Sequence, residues 1–201
     1  MIGLSLFAAS AIATQAAATP ATTRLLKDIP GVTVTYYDVT GKNGNAIRKS
    51  IEKNAPRAPG SKEALAGTTN WTMKAEYTQR TTNGQCAIAS AKAVFQGTAT
   101  LPRLTNEATV NRALQEQWKS FMAGLESGAV AELGYAYDHT SDVEKAILAA
   151  NCQTAGTAGS EPIAKLRTQA SEHQRKVMAT AKAAQPEDEG QRREPVVPEE
   201  Y

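Results

Sequence analysis

The chain is poor in the side chains that most often build a core or carry chemistry. Of 201 residues, 5% are aromatic, two are cysteine and two are histidine. Alanine is abundant instead, at 36 residues. Alanine buries little apolar area, so a core must rest on few large side chains. Two cysteines exclude a disulfide-dense small domain and a four-cysteine zinc site. Lys+Arg is 22 and Asp+Glu 20, a net charge of +2. That balance excludes a strongly basic nucleic-acid binder and a disordered polyion. Charge is missing altogether from residues 1–23.

What stands there instead is an apolar run. Residues 2–13 are apolar apart from Ser5, Ser10 and Gly3, and Ala16 and Ala18 fit an A-x-A cleavage site. Residues 1–18 therefore read as a signal peptide and residues 19–30 as a linker. The run is shorter than the ~20 apolar residues of a membrane span, so no span is expected after cleavage. Export to a secreted or periplasmic location places Cys86 and Cys152 where disulfides persist. The bridge would close a loop worth ~4 kcal/mol in the chain-entropy model. Two separate buried thiols are the alternative.

The hydrophobic pattern sets the fold class. Val32, Val34 and Tyr36 alternate with threonines, which predicts a half-buried strand over residues 32–39. Asn45 is placed to cap a short helix bearing Ile47 and Ile51. Pro56, Pro59 and Gly60 open a loop to about residue 68. Trp71, Met73, Ala75 and Tyr77 line one face of a second strand, and Asn83-Gly84 signals a hairpin turn. A third strand starts at Cys86, runs to about Phe95 with a continuation to Leu101, and is expected to stop at Pro102.

From Asn106 the period changes to that of a helix. Val110, Leu114, Trp118, Phe121, Leu125, Leu133, Tyr137, Val143 and Ile147 form one stripe. It predicts a single helix of about 45 residues, kinked near Gly124, Gly128 or Gly134. A last helix begins at Ser160, and its face of Ile163, Leu166, Ala170, His173 and Val177 suits antiparallel packing on the long helix. Residues 185–201 carry six acids and two bases and read as a disordered acidic tail. The expected fold is α+β: a small antiparallel sheet with one short helix, packed on a long helix and a C-terminal helix.

Several strings resemble a bacterial family of unknown function described as predicted secreted zinc-dependent proteases. They are Tyr36-Tyr37-Asp38-Val39-Thr40-Gly41, Thr69-Asn70-Trp71, Cys86 after a hairpin, Thr100-Leu101-Pro102-Arg103, Trp118-Lys119-Ser120-Phe121 and Cys152. The resemblance implies a zincin-like arrangement, a protease-like domain over residues 31–152 and a C-terminal helix over 153–184. It also implies His-Glu-x-x-His on the long helix. There two histidines one turn apart grip zinc while the glutamate acts as general base on the metal-bound water.

This chain departs from that pattern. Residues 127–132 read Ser-Gly-Ala-Val-Ala-Glu, so Gly128, Ala129 and Glu132 fall at the first-ligand, base and second-ligand positions. No histidine precedes His139, and residues 185–190, where relatives carry a further histidine motif, have none. The motif is degenerate, no catalytic residue is assigned and no cofactor is expected. The one zinc alternative is a set of His139, His173 and Glu132, which the ~10 Å axial separation of Glu132 and His139 disfavours. The functional expectation is a non-catalytic relative, a pseudoenzyme serving as an envelope interaction or scaffold module. Its partner is an unknown envelope protein or another copy of itself, with no nucleic acid. The alternatives are a zinc-dependent peptidase with non-standard ligands and a self-associating structural envelope protein.

Overall fold

The computed structural model describes residues 24–57 and 64–183. The expected signal peptide, the first part of the expected linker, residues 58–63 and the expected acidic tail lie outside the described residues. Three strands are present among those described: β1 (Val32–Val39), β2 (Thr68–Thr82) and β3 (Gln85–Leu104). The helices are α1 (Gly44–Asn54), α2 (Arg112–Asp138), α3 (Thr140–Leu148), α4 (Ala155–Ala158) and α5 (Ser160–Ala183). The α+β class is as expected.

The sheet order is β1-β3-β2. β2 and β3 pair antiparallel through the Asn83-Gly84 turn, where both residues have positive φ, 51° and 77°. That is the geometry that favours an Asn-Gly hairpin. β1 pairs with β3 in parallel, from Val32 opposite Gly97 to Val39 opposite Leu104. The expectation of an all-antiparallel sheet is corrected here. Alternation reports which face a strand buries and says nothing of its direction. The connection from β1 passes through α1 and β2 before β3 arrives between them.

Pro102 does not end β3. The N–H of Gly97 reaches the Gly31 carbonyl and that of Thr105 the Val39 carbonyl, so odd-numbered residues of β3 donate towards β1. Pro102 therefore turns its nitrogen to the other side, where β2 has not begun, since Thr68 lies opposite Thr100. No ladder donor is lost there, which is the condition for proline in a strand. Towards the other end of the same edge, where β1 has not yet begun, the Ala93 N–H donates to Oε1 of Glu144 on α3 at 2.9 Å.

One face of the sheet carries the core. Trp71, Met73, Phe95, Ala99 and Leu101 pack against Ala129, Leu133 and Ala136 of α2, Val143 and Ile147 of α3, and Leu166 and Ala170 of α5. Gly97 has a packing reason: a Cβ there would stand 3.2 Å from a Leu133 methyl and 3.1 Å from the Phe95 ring. A second cluster joins Ile47 of α1 to Val39, Leu104, Leu114 and Trp118. Asn43, not Asn45, caps α1 by accepting from the Ala46 N–H at 2.9 Å.

The long helix is two helices. α2 runs without interruption through Gly124, Gly128 and Gly134 and ends at His139. The His139 ring donates through Nδ1 to the Tyr135 carbonyl at 2.8 Å, taking an acceptor that the next turn would have used. α3 restarts at Thr140 and turns Val143 and Ile147 into the same core, so the apolar stripe continues across a break that periodicity cannot register. The end of the expected linker is also part of the fold, with Leu26 and Ile29 buried in the core. α5 shares this core through Leu166 and Ala170, so residues 31–152 are not packed apart from it.

Candidate functional site

The positions that the sequence singled out lie on successive turns of α2. Gly128, Ala129 and Glu132 line a cleft of about 730 Å³. Its walls are the start of β2 at Thr68, Thr69 and Asn70, the segment just after α1 at Pro56 and Arg57, and α5 at Arg175 and Met178. A helix face that is small at Gly128 and Ala129 leaves room for α5 to approach. A Cβ on Gly128 would meet the Met178 sulfur at 2.9 Å. The Met178 side chain is 38% exposed, so it turns aside for a larger residue with little resistance.

Glu132 is half-buried, and its Oε2 accepts from the Thr69 hydroxyl. The carboxylate is thus engaged with β2. The charged side chains that share its cleft, Arg57 and Arg175, are cations. Zinc requires deprotonated nitrogen, sulfur or oxygen donors, four in a closed site and three in an open one. This cleft presents one carboxylate beside two guanidinium groups, a donor set that does not fit the ion.

The two histidines are brought together, but elsewhere. The His139 ring stacks on Tyr135 at a centroid distance of 4.0 Å, and the His173 ring stacks on the same tyrosine at 5.0 Å. Antiparallel packing of α5 on α2 produces this, as the shared heptad-like face of Ile163 to Val177 indicated. His139 is half-buried at the α2–α3 junction, and His173 lies exposed on the α2–α5 seam. Glu132 faces the Thr69 cleft, whose lining includes neither histidine. Among the described residues no group of three His, Cys, Asp or Glu side chains is placed to hold a metal ion.

Tyr37 stands in the string of residues 36–41, but the sequence assigns no role to its side chain. Its hydroxyl donates to the Ala66 carbonyl at 2.7 Å, tying β1 to the segment that leads into the cleft. Burial pushes the Tyr37 phenol up to about 12. The Trp71 indole nitrogen is buried without a partner among the described residues. The Arg167 guanidinium lies 4.4 Å over the Trp71 ring and donates to the Trp71 carbonyl at 3.1 Å. The cation thereby covers a carbonyl on the free edge of β2.

Cys86 and Cys152 form the disulfide, with Cα atoms 6.2 Å apart. It ties the outer part of the β2–β3 hairpin to the turn after α3, and Gln79 adds a bond to the Cys152 carbonyl at 3.2 Å. No described helix is long and apolar enough to cross a membrane.

No curated protein and no solved structure matches the chain. A family model does match, over residues 34–187, and those residues run from the middle of β1 past the end of α5. They take in the three-stranded sheet, the cleft, the stacked histidines and both cysteines. On that match the chain belongs to the family described as bacterial protein of unknown function, DUF922.

Proposed function

We propose that this protein is a secreted or periplasmic, non-catalytic relative of zinc-dependent proteases, retained as an interaction module of the cell envelope. The observation that carries this reading is the chemistry of the α2 face at residues 128–132. Where a metallopeptidase needs two imidazoles and a general base, this face offers a glycine, an alanine and one carboxylate already held by Thr69. The two histidines of the chain stack on Tyr135 instead. The cleft itself remains open between β2, α2 and α5, so a concave surface survives without the groups that would cleave a bond. The Cys86–Cys152 bond supports export, because such bonds persist in oxidising compartments.

The test is a metal and activity measurement on protein secreted by its own host and purified without chelators. Substoichiometric zinc and no peptide hydrolysis, before or after zinc addition, are the expected results. One zinc per chain together with chelator-sensitive peptidase activity would overturn the reading.

A further inference from the structure

The net charge of +2 hides a separation of charge within the chain. Residues 42–57 contain Lys42, Arg48, Lys49, Lys53 and Arg57 against Glu52 alone, a local net of +4. All six side chains are exposed. The described residues hold nineteen bases and thirteen acids, a net of +6, so this short stretch supplies most of the excess.

The fold gathers these groups on one surface. Ile47 and Ile51 turn the apolar side of α1 into the cluster with Val39 and Leu104. At 3.6 residues per turn, Arg48, Lys49, Glu52 and Lys53 then span an arc of ~140° on the opposite side. No acid occupies the first turn of α1, so the positive end of its backbone dipole adds to the same field. Arg57 folds back to donate to the Glu52 carbonyl at 3.0 Å, which adds its guanidinium at the C-terminal end of the face. None of the five cations takes part in the ion pairs found among the described residues.

The complementary charge is in residues 185–201. They hold Glu187, Asp188, Glu189, Glu194, Glu199 and Glu200 against Arg192 and Arg193, a net of −4. Their point of attachment is on the right side of the molecule. α5 runs along α2 so that its Arg175 and Met178 line one cleft with Arg57, just after α1. α1 is ~16 Å long at 1.5 Å per residue. Seventeen extended residues reach up to ~56 Å, several times the length of that face.

We propose that the basic face of α1 is a docking surface for acidic polypeptide, and that its resident occupant is the acidic segment 187–200 of the same molecule. Pairing of this kind shields the face by summed charge, without a buried interface, and yields to a denser polyanion. It is independent of whether the cleft binds metal.

Zero-length carbodiimide coupling of the full chain tests this, because it joins a carboxylate to an amine only at ion-pair distance. An equal mixture of nitrogen-15-labelled and unlabelled protein separates links within one chain from links between two. At low salt, tail carboxylates should couple to Lys42, Lys49 and Lys53 at least ~5-fold more than to Lys119, Lys145 and Lys165, within one isotope. The enrichment should vanish near 1 M salt, where the Debye length is ~3 Å. Arg48→Gln with Arg57→Gln leaves every lysine available and should lower the α1 links, with the circular dichroism spectrum unchanged. Uniform coupling over all lysines, links that mix isotopes, enrichment that survives 1 M salt, or no effect of the arginine pair would each overturn the proposal.

Discussion

The β2–β3 hairpin is held in two ways along its length. Its inner half, from Trp71 to Ala75 and from Ala93 to Leu101, lies under α2, α3 and α5 and contributes Trp71, Met73, Phe95 and Leu101 to the core. Its outer half, residues 78–90, is exposed on both faces except for Ile88. The same two strands thus owe their order to packing at one end and to a covalent tether at the other. A two-stranded ribbon is marginal in water on its own, and the Cys86–Cys152 bond supplies what the missing third layer does not.

Removing the tether should have the largest effect. Cys86→Ser with Cys152→Ser is expected to lower stability by ~4 kcal/mol in the chain-entropy model, read by urea unfolding. Hydrogen exchange should rise first at residues 78–90. Equal loss of protection in both halves would end the distinction between them. Leu133→Ala attacks the inner half, where this residue is fully buried against the sheet. A loss of ~3 kcal/mol is expected for such a cavity, with exchange rising across β3 and α2 together and the hairpin tip unchanged relative to them.

Smaller changes sharpen the boundary between the halves. Glu144→Gln weakens the acceptor that covers the Ala93 N–H on the stretch of β3 that precedes its pairing with β1. A cost of ~1 kcal/mol fits the loss of a charge-assisted bond, and the exchange rate of the Ala93 amide is the readout. The last change concerns β1 and is read against pH. Tyr37 is pushed up to about 12 in the folded chain by burial. The unfolded phenol ionises first, near 10. Its contribution is therefore complete below pH ~10 and is lost as pH rises through about 12. Tyr37→Phe should flatten the alkaline fall in melting temperature over that window, and an unchanged slope would remove Tyr37 as its source.

Much of this was legible in the sequence. The Asn83-Gly84 turn, the β2 stripe from Trp71 to Tyr77 and the heptad-like face of α5 each follow from short-range rules, and each stands in the structure. The break at His139 was not legible. It depends on one ring capturing a backbone carbonyl, and the apolar stripe runs on unbroken past it. The parallel pairing of β1 was hidden for a related reason, because side-chain alternation is the same in either direction.

At the candidate site the division is similar. Residue identity alone decided that positions 128, 129 and 132 lack imidazole, and that the chain carries two histidines in all. Where those histidines meet, what Glu132 bonds to, and that Arg57 shares a cleft with Arg175 were set by packing between elements distant in sequence. The sequence by itself determined which chemistry is missing, because chemistry is a property of side chains. Only the tertiary structure decided which of the remaining groups face one another, because that depends on how an alanine-rich chain packs its few large side chains.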